Sequence, residues 1–171
     1  MSEYLTWALD RAREHTLLLV ADVPREAMEL QAAPHERHPA WILGHLLLAD
    51  TYLLFLLAVE PLSDDFPLLV EAFGPASVRA PVDYDATPQL IDRLRRTHAV
   101  RLARVRAMTD QDMAQPLPDK LLAQAQSTLG HHLHGLVFHE GYHAGQLSSW
   151  RKAHGLPAVH WTFGPARTGA A

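Results

Sequence analysis

Ser127-Thr-Leu-Gly-His-His-Leu-His-Gly-Leu-Val-Phe-His-Glu-Gly-Tyr-His-Ala-Gly-Gln-Leu-Ser-Ser-Trp-Arg-Lys-Ala153 has the apolar period of one long helix. At spacings of three and four, Leu129, His132, Leu136, His139, His143, Gln146 and Trp150 form an inward seam. Arg151, Lys152 and His154 suit the negative helix end, Gly155 fits a left-handed cap, and Pro157 prevents continuation. A bundle seam ordinarily holds Leu, Ile or Ala. Here three consecutive turns present His139, His143 and Gln146. An imidazole buried without a partner costs about 1–3 kcal/mol, so this seam needs something to satisfy it.

The same period recurs three times upstream, and no segment alternates long enough to predict a strand. The first helical segment runs from about Ser2 to Asp22, with Leu5, Leu9, Ala12, Thr16 and Leu19 in one stripe. Ser2 can cap its start and Pro24 stops it. The second opens at Pro39 and ends before Pro61, with a seam of Trp41, His45, Leu48, Tyr52, Phe55 and Val59. The third takes Thr87 as N-cap and Pro88 as its first residue, and continues through Ile91, Leu94 and Val105 to about Met108. Residues 61–86 hold Pro61, Pro67, Pro75 and Pro81 and one short apolar patch, Leu68 to Phe73. So long a connection suits a crossover along a bundle better than a turn between antiparallel neighbours. The expectation is an all-α four-helix bundle with a long crossover between helices 2 and 3. It forms one domain over residues 1–157, followed by a C-terminal tail over 158–171.

Composition narrows the chemistry. The 171 residues, 48% hydrophobic with a net charge of -4, are enough for one packed core and argue against disorder. Cysteine is absent, which excludes disulfides, thiolate nucleophiles and sulfur-ligated metals. Histidine occurs twelve times, five of them between His131 and His143. A transition-metal site in this chain must therefore use imidazole with carboxylate or water. Lys and Arg total 15 against 19 Asp and Glu, so a nucleic-acid partner is not expected. Arg93, Arg95, Arg96, Arg101, Arg104 and Arg106 are read as a solvated helix face. Early charges (Glu3, Asp10, Arg11, Arg13, Glu14) exclude a secretory signal, and His45 and Asp50 interrupt the apolar run Trp41 to Val59. The expected setting is cytoplasmic, with no membrane partner.

His139 and His143, four apart, differ by about 40° around a helix and can aim two nitrogens at one point about 2 Å from each. If the second and fourth helices face one another, His45 completes a three-nitrogen site. Residues 139–143 also satisfy H-E-x-x-H, in which Glu140 would be a general base. No Asp or Glu follows Glu140, and Gln146 and Ser149 stand where the longer metalloprotease pattern needs Gly and His. A peptidase is therefore a poor fit, and Glu140, beside the seam rather than on it, reads as a surface or helix-flanking carboxylate. His132, roughly 10 Å along the axis from His139, is too far to share its ion. His15 and His98 border the interior in structural or pocket roles. His35, His38, His131, His134, His154 and His160 read as surface or turn residues.

Trp41-Ile42-Leu43-Gly44-His45-Leu46, His139-Glu140-Gly141-Tyr142-His143-Ala144-Gly145-Gln146-Leu147 and the ending Trp150 to Pro157 resemble the DinB/YfiT-like superfamily. The resemblance spans Ser2 to about Pro157. It implies up-down-down-up connectivity, homodimers, and a three-His site for zinc, nickel or a similar divalent ion, on His45, His139 and His143. Ala144 stands where many members carry Arg, so a substrate contact at that position does not transfer. Some relatives look like thiol S-transferases or isomerases using a low-molecular-weight thiol cofactor; others look like metal-dependent hydrolases. The resemblance thus implies an enzyme acting on a small molecule. The alternative is a non-enzymatic, stress-associated binding bundle.

Overall fold

The computed structural model describes residues 2–34, 36–75, 77, 87–117 and 128–160. Among these residues the chain is all helical, with six α-helices, one 3-10 turn (Arg25–Ala27) and no strand. The helices are α1 (Ser2–Val20), α2 (Pro39–Leu56), α3 (Phe66–Phe73), α4 (Thr87–Arg106), α5 (Asp110–Met113) and α6 (Leu129–Ala153). Of the sequence expectations, those on His35, Ser127, residues 78–86 of the crossover and the tail beyond His160 lie outside the described residues.

Local chemistry sets the helix limits. His38, expected to be a turn residue, caps α2: its Nδ1 accepts from the Trp41 amide at 3.1 Å, and Pro39 follows in the first turn. α2 stops short of Pro61 because Ala58 takes φ +52. The Val59 amide then reaches the Leu54 carbonyl at 3.0 Å and the Ala58 amide that of Phe55 at 2.9 Å, a Schellman ending with alanine where glycine is usual. α6 begins after Thr128, whose hydroxyl accepts from the His131 amide. It ends as its sequence predicts, with Gly155 at φ +70 and the Leu156 amide on the Arg151 carbonyl at 3.0 Å. The apolar patch inside the crossover is a helix, α3, packed on α2. α5, capped by Thr109 and Asp112, is a second helix the periodicity missed; four residues are too few to show a period.

α1 packs on α6 and α4, and α2 packs on α4 and α6. α2 is the one described helix long and apolar enough to cross a membrane (mean hydropathy 1.4), but 67% of it is buried inside the fold. Apolar side chains gather in two clusters. One contains Leu19, Leu43, Leu47, Phe73, Leu94, Ala144 and Leu147. The other contains Leu5, Leu9, Leu53, Leu102, Val105, Leu133 and Leu136.

Between the clusters lies a layer of charge. Arg13, Asp50, Arg101 and Glu140, one from each long helix, are all at most 2% exposed. The Arg13 fork donates to both Glu140 oxygens, and its Nη1 donates to Asp50 at 2.9 Å. Arg101 donates from Nη1 to Asp50 and from Nη2, at 2.7 Å, to His98 Nδ1. Two cations face two anions, so the layer is neutral as a unit, which is what burial requires. Burial alone would raise the Asp50 carboxyl; Arg101 and Arg13 outweigh it and hold it below the usual carboxylate range.

Two expectations are corrected here. Glu140 is not a surface carboxylate, and Arg101 does not belong to a solvated face. α6 buries Leu133, Glu140, Ala144 and Leu147 beside the seam residues Leu129, His132, Leu136, His143 and Trp150, whereas His139 and Gln146 are half-buried. On α2, Leu43, Leu47, Asp50 and Leu54 are buried along with Trp41 and Leu48 of the expected seam, whereas Phe55 is 44% exposed.

Candidate metal centre

α2 and α6 bring His45, His139 and His143 together, with one ring nitrogen of each within 4.8 Å of the others. The convergent atoms are all Nε2: His45 lies 3.1 Å from His139, and His143 lies 3.2 Å from His139. Two imidazoles on one tetrahedral zinc ion, each at about 2.05 Å, have nitrogens about 3.3 Å apart. The spacing therefore fits a shared divalent ion.

The opposite edges of two rings fix which nitrogen carries the proton. His45 Nδ1 lies 2.6 Å from the Phe73 carbonyl, and His143 Nδ1 lies 2.7 Å from Gln146 Oε1. Both partners accept only, so both histidines donate from Nδ1 and turn an Nε2 lone pair inward. Gln146 is held in turn by donating from Nε2 to the Tyr142 hydroxyl at 3.1 Å. Burial, aided by the neighbouring imidazoles, pushes His139 and His143 down to about 4. Burial also lowers His45, against the opposing pull of the Phe73 carbonyl. At neutral pH the three rings are uncharged donors, the form a metal binds.

Gly44 makes the His45 arrangement possible. A Cβ at Gly44 would overlap the Phe73 ring, so glycine lets the end of α3 press onto α2 and bring the Phe73 carbonyl to His45. Trp41 continues the clasp. It stacks on His45 at 4.7 Å and 11°, and its indole N–H donates to Ser77 Oγ at 2.8 Å.

The remaining histidines divide. His98 is buried, donates from Nε2 to Asp10 at 3.2 Å and accepts from Arg101; burial and the two guanidiniums push it down to about 4. It belongs to the charge layer and not to the three-His cluster. His132 is buried and His15 half-buried, both outside the three-His cluster. His154, expected as a surface or turn residue, lies in the turn that ends α6 and stacks on Trp150 at 4.2 Å. His131, His134 and His160 are exposed as expected. Phe73 acts through a main-chain carbonyl and left no sequence signal. Nor did the charge layer: the first helix buries Arg11 beside Arg13 and α6 buries Arg151 as well as Glu140, so charge alone does not mark its members.

Described residues that are helical throughout their regular structure, with three converging neutral imidazoles, define a class, a helical protein with a site compatible with a divalent metal ion. The sequence profile of the DinB superfamily matches residues 8–147, which include all three histidines. The chain belongs to that superfamily. No curated protein and no solved structure matches it.

Proposed function

We propose that His45, His139 and His143 hold a divalent transition-metal ion, zinc or nickel, and that the protein is a metal-dependent enzyme acting on a small molecule. One observation carries this reading. Three Nε2 atoms converge, and two are committed as lone pairs by Phe73 and Gln146. A single proton on His139 Nε2 points squarely at only one of its two neighbours, whereas an ion satisfies all three. Three protein ligands also leave a coordination position open, as catalytic sites do. When bound, such an ion supplies Lewis-acid chemistry, lowering the pKa of water to about 7 or holding a thiol as thiolate. The protein's own part is to fix the ring tautomers and exclude competing protons. With no cysteine in the chain, a thiol S-transferase or isomerase reaction would take its sulfur from a low-molecular-weight thiol. Hydrolysis of a small electrophile uses the same centre.

The fold reading accompanies this one. Along α1 and α6 the second apolar cluster comes before the charge layer and the first after it; along α2 and α4 the order is reversed. That order, with the closed circuit of packed helices, supports an up-down-down-up four-helix bundle. Its parallel α2 and α4 need the long crossover, in one domain over residues 1–157. Cytoplasmic location and a homodimer complete the proposal.

The peptidase reading loses its base, because both Glu140 oxygens are bound by Arg13 within the charge layer. The non-enzymatic bundle remains the competitor, since 3.1 Å and 3.2 Å also suit hydrogen bonds between imidazoles. Metal-loaded protein assayed against thiol adducts, small esters and casein separates the readings. Turnover of a small electrophile, lost on chelation and restored by metal, supports the proposal. Chelator-sensitive casein cleavage abolished by Glu140→Gln, or full metal occupancy with no turnover, contradicts it.

A further inference from the structure

Beside the histidine centre lies a cleft of about 430 Å³, lined by Glu36 and Arg37 ahead of α2 and by Tyr142, Gly145, Gln146 and Ser149 on α6. That size suits a small molecule. Each wall leads to a proposed ligand. Gln146 accepts from His143 at 2.7 Å, and the Tyr142 ring lies 5.2 Å from the His143 ring. Across the cleft, the Arg37 guanidinium sits 4.1 Å above Trp41, the ring that stacks on His45. The imidazoles themselves do not line the cleft, so an occupant touches the centre through Gln146.

Arg37 is half-buried, and one of its amino groups donates to the Pro75 carbonyl at 3.3 Å. No carboxylate among the described residues pairs with it. A guanidinium seated on an indole, with donors to spare, is arranged to receive a carboxylate in the plane of its fork. Glu36 is exposed at the rim of the cleft, where solvent screens its opposing charge. Gly145 weakens an exposed helix interior, yet nothing within 4 Å would meet a Cβ there. Its effect is to leave the floor of the cleft clear.

We propose that this cleft recognises a small carboxylate. Arg37 holds the anion, Gln146 and Tyr142 take the polar body, and Gly145 provides the room. Its use as an anchor for the remote end of a substrate rests on the metal-centre reading; the carboxylate site itself stands without it. Binding energy taken up at a remote group is available for positioning at the reacting one.

The test titrates propionate, propionamide and propylamine into metal-free and metal-loaded protein, following α6 backbone amide shifts by NMR. Metal stoichiometry is measured in parallel. Propionate is expected to bind at least about tenfold more tightly than either analogue, and Arg37→Gln to remove that advantage, as loss of a charged hydrogen bond should. Arg37→Lys retains the preference for propionate, and Gly145→Leu blocks binding without lowering the Tm. Both Arg37→Gln and Gly145→Leu still load metal as the parent does. Equal binding of the three probes overturns the proposal. So does propionate binding that Arg37→Gln leaves unchanged, including binding seen only with metal present, which is coordination by the ion alone. If the parent takes up no metal but binds propionate through Arg37, the metal-centre reading fails and the carboxylate site stands.

Discussion

Phe73 holds His45 from two directions: its carbonyl accepts the His45 Nδ1–H at 2.6 Å, and its ring occupies the space over the neighbouring Gly44. The tautomer of one proposed ligand therefore depends on the absence of a single methyl group. Gly44→Ala should displace Phe73, lower stability by about 1–3 kcal/mol and weaken metal binding about 10–100-fold. Thermal unfolding and a metal titration check both effects. A variant that keeps its metal affinity would show that the Phe73 carbonyl is not what orients His45.

Glu140 offers a sharper separation of roles. Losing its charge leaves Arg13 and Arg101 with only Asp50 inside the fold. Glu140→Gln should cost about 3–5 kcal/mol in urea unfolding, the usual result of breaking a buried ion pair. The folded fraction should still bind metal at parental stoichiometry. Loss of metal with stability intact would place Glu140 at the centre instead.

The end of α2 is strained by Ala58 at φ +52. Glycine adopts that region at no steric cost, at the expense of some extra freedom in the unfolded chain. Ala58→Gly should stabilise by about 0.5–1 kcal/mol, seen as a higher Tm. A lower Tm would mean the left-handed ending is not formed in solution.

Acid should unfold the protein partly through His98. Held near 4 in the fold, against about 6.5 when unfolded, it is neutral in both states above pH 6.5 and carries no penalty there. As pH falls from 6.5 to 4 the unfolded chain takes a proton the fold refuses, so stability drops. Protonation of Asp50, held low by Arg101 and Arg13, acts in the same direction at lower pH. His98→Gln can still accept from Arg101 and donate to Asp10. With chelator present, its stability should fall less steeply over this range, by about one proton or 1.36 kcal/mol per pH unit. Parallel curves for parent and variant would exclude His98.

The sequence made the four long helices and the three converging histidines legible for the same reason: both follow a period of three to four. It did not reveal that charged residues beside those seams are buried too. His45 and His139 are half-buried, whereas Asp50 and Glu140 beside those seams are buried. Hydrophobicity alone reads a buried carboxylate as solvent-facing. Only pairing with Arg13 and Arg101 across helices reveals its depth, and such pairing is not local. The His45 acceptor is a backbone atom in a segment that reads as crossover, and no side-chain pattern marks it.

Metal content is the most direct test of the central claim. Protein purified without an affinity tag, stripped, titrated with zinc or nickel and measured by elemental analysis should bind about one equivalent, as three imidazoles on one ion require. His143→Ala should abolish or greatly weaken uptake while helical content is retained. Less than about 0.1 equivalents of any transition metal, with no uptake on titration, would contradict the account, because a three-imidazole zinc or nickel site should fill under these conditions.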